Sequence, residues 1–197
     1  MILLLSCLRG YNATGLIMIL EYLESIDSAV FMNINHDLTN PLFDAVFPSL
    51  RELTYIVWLI VIIYFWSKNE KKLALLLSVS IAAGALFTYP LKFLIDRARP
   101  YETIGSARLL TPGEFDPSFP SGHAEMSFLA ATVVSRFHPE YAKYLYAFSF
   151  IVVLSRVYVG VHFPGDVVAG VIIGIIIGKG MLIVAERKKN IFWDKDV

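Results

Sequence analysis

Three short segments of this chain carry polar residues of the kinds that handle a multiply charged oxyanion. In the first, KFLIDRARP, Lys92 and Arg99 stand seven residues apart, which places both cations on nearly the same face of a continued helix that Pro100 stops. In the second, FPSGHAEM, Pro120, Ser121 and Gly122 precede an apolar stretch. That order predicts Ser121 as a helix N-cap with His123 in the first turn. Free backbone N–H groups at such a start, with Gly122 permitting close approach, make an anion site. In the third, Ser155-Arg156 interrupts an apolar sequence and is followed by His162 and Asp166. Charges are costly among apolar helices and are best explained by mutual pairing at a site. An Arg156–Asp166 ion pair that merely locks two helices would account for the charges but not for His162.

Sorted by chemical role, these residues supply three cations, helix-start amides, two histidines and one carboxylate able to orient a histidine. That is equipment for phosphoryl transfer. The sequence offers no paired-carboxylate cluster, no His-Asp metal tandem and no P-loop, and Asp194 and Asp196 belong to a polar tail. We therefore expect neither metal nor cofactor, with cations and amides doing what Mg²⁺ would otherwise do. Without a metal hydroxide, a side chain must attack phosphorus. Glu125, one turn from His123, and Arg97, beside Arg99, receive no role in this reading.

The elements that must position these groups follow from composition. Of 197 residues, 56% are hydrophobic and only 17% charged, with mean hydropathy +0.61. A soluble domain of this size needs a more charged surface, so the apolar excess faces lipid. A net charge of zero and a pI near 6.9 exclude a basic nucleic-acid-binding surface. The single cysteine, Cys7, excludes an intrachain disulfide and a thiolate metal cluster. A hydrocarbon core about 30 Å thick takes roughly 20 helical residues. Uncharged or nearly uncharged runs of suitable character cover residues 53–67, 73–91, 123–137, 144–161 and 167–185. The turn at His138-Pro139-Glu140 makes the third and fourth an antiparallel pair. The expected fold is an all-α integral membrane bundle of five transmembrane helices.

Residues 1–50 are expected to form an interfacial amphipathic segment, and residues 51–197 the catalytic domain. A sixth span over residues 1–20 is the alternative, but it would place Arg9 in lipid. The triplet Asn12-Ala13-Thr14 matches a glycosylation sequon that arises often by chance. Gly170, Gly174 and Gly178 recur every four residues and suit close helix contact inside the bundle. Lys68, Lys71, Lys72, Arg136, Lys143, Arg187, Lys188, Lys189 and Lys195 fall on one side, which the positive-inside rule makes cytoplasmic, together with the C-terminus. The loops of residues 96–121 and 160–165 then face the extracytoplasmic side of a plasma membrane.

Taken together, the three segments resemble the motif set of the type 2 phosphatidic acid phosphatase (PAP2) superfamily. K-x6-RP stands as Lys92 with Arg99-Pro100, PSGH as Pro120-Ser121-Gly122-His123, and SR-x5-H-x3-D as Ser155-Arg156 with His162 and Asp166, with 19 and 31 residues between them. The resemblance implies a helical bundle with its site at the outer membrane face and catalysis through a phosphohistidine. Carried onto this chain, His162 is the nucleophile and Asp166 orients it. His123 is general acid and then base, while Lys92, Arg99, Arg156, Ser121 and Gly122 hold the phosphate.

The stretch 123–137 spans about 22 Å, short of a bilayer. A site near headgroup level is thus expected to take a lipid phosphate from within the membrane plane. A polyprenyl diphosphate of the undecaprenyl or dolichyl type is the favoured substrate, with phosphatidylglycerophosphate and phosphatidic acid as alternatives. No nucleic acid and no obligate protein partner are expected. A soluble vanadium haloperoxidase would share the oxyanion pocket but not the apolar spans. A catalytically silent, lipid-binding relative would not need intact His123, His162 and Asp166.

Overall fold

The computed structural model describes residues 13–187, and every regular element among them is helical. Helix α1 (Ala13–Met32) runs into a π-helical turn (Asn33–Asp37). A short α2 (Pro41–Val46) and a 3₁₀ turn (Phe47–Ser49) lead into α3 (Leu50–Ser67), and α4 (Lys71–Ile95) returns beside it. After the one-turn α5 (Pro100–Thr103) comes a long irregular loop, then α6 (Gly122–Phe137). A 3₁₀ turn (Pro139–Tyr141) joins α6 to α7 (Ala142–Tyr158), and α8 (Pro164–Arg187) follows.

Helix α6 is the axis of the bundle, packed against α3, α4, α7 and α8. Its sequence explains this place. Ala124, Ser127, Ala130 and Ala131 are all buried, and side chains this small admit neighbouring helices from several directions. Helix α8 answers with Gly170 and Gly174. A Cβ on Gly170 would strike the backbone oxygen of Ser121, and one on Gly174 that of Glu125. The glycine stripe therefore serves contact inside the bundle. On the other side of α6, Trp58, Phe65, Leu73, Leu77, Leu129 and Val133 form the main apolar core.

Among the described residues, three stretches are long and apolar enough to cross a membrane: Pro41–Ser67, which holds α3, Lys71–Thr103, which holds α4, and Pro164–Arg187, which is α8. Helices α6 and α7, read from sequence as two further spans, have 16 and 17 residues. They are more polar because protein rather than lipid covers much of them: Ser127 and Ser149 are buried and joined by a hydrogen bond of 3.0 Å to the Ser127 carbonyl. Helix α1 presents Met18, Ile19, Tyr22 and Leu23 outward and buries Phe31 against Phe163, ring centroids 5.6 Å apart. The possible span over residues 1–20 lies largely outside the described residues, as do Cys7, Arg9, Asn12 of the sequon, Lys188, Lys189 and Lys195.

At the bundle end that gathers the polar residues, the loop of residues 104–121 is fastened by side chains from distant parts of the chain. Asn35 donates to the carbonyls of Arg108 (2.9 Å) and Tyr158 (2.8 Å) and accepts from the Arg108 amide (2.8 Å). Gly160, with φ of 92°, lies so near that any Cβ would strike the Arg108 carbonyl, so the turn before His162 requires glycine.

Candidate active site

The second helical span does not continue to Arg99. Helix α4 ends at Ile95, and Asp96 takes the left-handed conformation (φ 49°) that closes it with a hydrogen bond to the Lys92 carbonyl. Arg99 is extended, as a residue before proline prefers, and caps α5. The expectation of one helical face for Lys92 and Arg99 is thus wrong in its geometry. The two cations nevertheless meet, because both reach Asp116: Lys92 Nζ lies 3.0 Å from Oδ2, and Arg99 Nη2 donates to Oδ1 at 2.8 Å.

Ser121 is the N-cap of α6, as its spacing predicts, but its hydroxyl caps nothing and has no partner among the described residues. Its amide donates to the Asp166 carbonyl (3.0 Å), tying the start of α6 to the start of α8. Arg156 is fully buried. Nη2 donates to the Phe47 carbonyl (3.2 Å) and Nε to the Ser155 hydroxyl (3.2 Å), while Nη1 is without a partner among the described residues. Two buried donors left unmade cost too much to be incidental, and they mark where an acceptor is due.

His162 sits in the tight connection between α7 and α8, where Pro164 opens the next helix and Asp166 lies in its first turn. Its Nδ1 is 3.5 Å from Asp166 Oδ2, long for a hydrogen bond. The Ser118 hydroxyl stands beside both, 3.4 Å from that nitrogen and donating to the same carboxylate oxygen. Asp166 Oδ2 also accepts the Phe163 amide (2.8 Å), so the carboxylate cannot swing away. With Nδ1 facing Asp166 and Ser118, the other ring nitrogen is left for substrate. Burial holds the His162 pKa below the ordinary histidine range, opposed by Asp166 and aided by Arg99 and Lys92. The ring is neutral at neutral pH.

Asp166 does not pair with Arg156, so the ion pair weighed as a purely structural explanation is not formed. Its partner is Arg97, whose Nη1 donates to Oδ1 at 2.6 Å. The same guanidinium donates through Nη2 to Asp27 (2.6 Å) and lies 4.2 Å over the Phe163 ring. Asp27 in turn accepts the Gly165 amide (2.7 Å). Burial disfavours the Arg97 charge, but Asp166 and Asp27 outweigh it and raise its pKa. Sequence reasoning left Arg97 without a role and did not single out Asp27 or Ser118. Only Arg97 carried a signal, an arginine two positions from a motif cation.

His123 enters from α6, its Nε2 3.3 Å from the Arg51 carbonyl and its ring 5.0 Å from that of Tyr55. It shares with His162, Lys92 and Gly122 the wall of one cavity of about 790 Å³. Ile81, Ala85, Tyr89, Phe93 and Met126 continue that wall as an apolar groove. Glu125, 2% exposed, also lines it, with Oε1 unpartnered among the described residues and the carboxylate packed against Gly84, where a Cβ would force the Glu125 side chain to move. On the outer side stand two acidic residues that the sequence reading had passed over. Glu114 Oε2 is 2.7 Å from Arg99 Nη2, and Asp116 contacts both Arg99 and Lys92. Burial works against the Asp116 charge, yet Lys92 and Arg99 keep its carboxyl below the usual range.

All eight residues expected at the site, His162, His123, Asp166, Lys92, Arg99, Ser121, Gly122 and Arg156, thus gather at one end of the bundle. A buried neutral imidazole, a second imidazole across a cavity, and cations with unpartnered donors can bind a tetrahedral oxyanion and attack it.

Relatives share both the sequence and the shape. An undecaprenyl-diphosphatase of Sulfolobus acidocaldarius is 32% identical over 108 residues, 54% of this chain and 52% of that protein, so the match spans about half of the relative. The crystal structure of Aquifex aeolicus LpxE superposes with a TM-score of 0.72 at 31% identity, covering 79% of this chain and 93% of that one. A transmembrane PAP2-type phosphatidylglycerolphosphate phosphatase from Bacillus subtilis shares the fold, with a TM-score of 0.69 at 23% identity over 95% of this chain and 93% of that one. The sequence profile described as PAP2 superfamily matches residues 73–190, which takes in every one of those eight positions. This chain belongs to the PAP2 superfamily.

Proposed function

We propose that this protein is a metal-independent membrane phosphatase that cleaves a lipid phosphate or diphosphate through a phosphohistidine. The observation that carries the reading is the single cavity that His162, His123, Lys92 and Gly122 line, with His162 buried beside the Asp166 carboxylate. In the first step the free nitrogen of His162 forms a bond to phosphorus. The bond from that phosphorus to its leaving oxygen breaks, the bridging oxygen of a lipid diphosphate or the lipid oxygen of a monophosphate, and His123 gives that oxygen its proton. In the second, neutral His123 takes a proton from water, whose oxygen attacks phosphorus. Inorganic phosphate leaves and His162 is restored. Lys92, Arg99, Arg156, Ser121 and the Gly122 amide hold the equatorial oxygens as charge redistributes.

The apolar part of the cavity wall suits a substrate whose remainder is hydrocarbon, arriving sideways from the bilayer. Within that class a polyprenyl diphosphate is favoured, supported by the name of the Sulfolobus relative. The site is assigned to the extracytoplasmic face, since Lys68, Lys71, Arg136, Lys143 and Arg187 stand at the helix ends remote from it. The catalytic domain is taken as residues 51–197, with residues 1–50 at the interface.

The experiment is phosphate release in EDTA by detergent-purified protein. It compares a long polyprenyl diphosphate, phosphatidylglycerophosphate and phosphatidic acid, each with His162→Ala as control. Release that the control lacks, fastest from the polyprenyl diphosphate, is the expected result. Near-normal release by His162→Ala would refute the role given to His162. Preference for another lipid would move the substrate assignment, and release from none would favour a silent lipid-binding relative.

A further inference from the structure

A phosphate site that opens toward a bilayer faces a problem of competition. Phosphodiester headgroups surround it at far higher concentration than any lipid bearing a terminal phosphate, and its buried cations attract both. Half of the cradle is open: Arg156 Nη1 and Ser121 Oγ have no partner. The other half is filled by the chain itself. Arg99 already donates through Nε to the Asp116 carbonyl (2.8 Å), through Nη1 to the Val161 carbonyl (2.8 Å), and through Nη2 to the carboxylates of Glu114 and Asp116. Lys92 donates to the Pro117 carbonyl (2.7 Å) and contacts Asp116.

The segment that supplies these carboxylates is PGEFDP, residues 112–117. Glu114 and Asp116 point inward while Phe115 between them is fully exposed, the alternation of an extended strand of chain. Its anchor is Tyr101, whose hydroxyl donates to the Glu114 carbonyl (2.9 Å) and faces the Glu114 amide at 3.1 Å.

We infer that Glu114 and Asp116 are specificity-determining residues, tethered carboxylates that occupy Lys92 and Arg99 and yield them only to a terminal phosphate. The inference rests on the reading of the site as a lipid phosphatase. A phosphodiester carries one charge and two free oxygens, which is no more than one carboxylate offers. The carboxylate is also held in place at a high effective concentration. A terminal phosphate carries about −1.5 to −2 charges on three oxygens. It can engage Lys92 and Arg99 while also reaching Arg156 Nη1 and Ser121, donors the carboxylates leave unmade. Discrimination thus comes from a competitor built against the wrong ligand as much as from attraction to the right one.

The test uses the full chain in detergent, unaltered and as Glu114→Gln, Asp116→Asn and the double variant, each checked by thermal unfolding. Phosphate release from a polyprenyl diphosphate is measured against increasing phosphatidylglycerol, a phosphodiester, and inorganic phosphate binding is measured by calorimetry. Phosphatidylglycerol is expected to inhibit the double variant at a roughly tenfold lower concentration than it does the unaltered protein. The Kd for inorganic phosphate and the KM for the diphosphate should fall by a clearly smaller factor, about two- to threefold, so that the preference for a terminal phosphate narrows, with the single variants between. Unchanged inhibition by phosphatidylglycerol would overturn the inference, and so would a gain in phosphate affinity as large as the gain in inhibition, since discrimination would then be unaltered. So would weaker phosphate binding in the folded single variants, since the carboxylates would then only hold the cations in place. If the unaltered protein hydrolysed no lipid, the phosphatase reading would fail, while the phosphate calorimetry would still decide whether the carboxylates compete.

Discussion

Asp166 faces two ways, and its two oxygens divide the work. One faces His162, Ser118 and the Phe163 amide, and the other is held by Arg97. Arg97→Lys should lower kcat roughly 10–100-fold with little change in KM, because a single ammonium cannot span Asp166 and Asp27 as the guanidinium fork does. Steady-state kinetics on the folded variant would check this, and an equal loss in KM would point to general damage instead. Ser118→Ala should act in the same direction, since it frees one side of the carboxylate. The buried His162 also makes stability depend on pH. Its folded pKa lies below the unfolded value of about 6.5, so as pH falls through that value the unfolded chain takes up the proton first. Stability from the neutral ring is complete above about 6.5 and declines below it. The unfolding midpoint of His162→Gln should therefore fall less steeply between about pH 7 and pH 5.5 than that of the unaltered protein. His162, Asp166 and the cations were legible in the sequence because local spacing sets them apart within apolar surroundings. Asp27 and Ser118 were not, because each gains its meaning only across space, Asp27 from an arginine 70 residues away.

Helix α8 lies on α6 with only hydrogen atoms between some of the backbones. Gly174→Ala places a methyl group against the Glu125 carbonyl, and helix backbones cannot yield as a flexible side chain can. A loss of about 1–3 kcal/mol is expected, read as a lower melting temperature. Gly180→Ala, where nothing lies within reach of the new carbon, should leave the melting temperature unchanged or slightly higher. Helix positions were legible from uncharged runs, and the Ser121 cap from its place before one. The end of α4 was not. The helical period carried the expectation on to Arg99, but Asp96 turns left-handed and Pro100 holds Arg99 extended, so the cation reaches the site from an irregular loop. Periodicity is a property of one helix and is silent about the loop that breaks it. The same limit hid Glu114 and Asp116, acidic residues in a loop that reads as ordinary solvated chain until the fold lays it over Lys92 and Arg99.

At the scale of the whole molecule, the region that matches the family profile, residues 73–190, is smaller than the unit that holds the site together. Asp27 binds Arg97 and the Gly165 amide, Asn35 pins the loop at Arg108, and the Phe47 carbonyl takes a hydrogen bond from Arg156. A shortened chain lacking residues 1–40 should insert into membranes yet lose at least tenfold in kcat, because Arg97 and the α7–α8 turn lose the carboxylate between them. Phosphate release by equal amounts of the two proteins would check this, and full activity of the shorter one would show that Asp27 is dispensable. The bonds of Asp27 also order events in time. Asp27 leaves the ribosome before its Gly165 partner, which follows 138 residues later. Until α8 arrives beside α1, the growing chain has neither His162 in its turn nor Asp166 behind it. A half-made protein already threaded into a bilayer full of phosphates is therefore inert, and activity appears in one step, at the moment α1 and α8 meet.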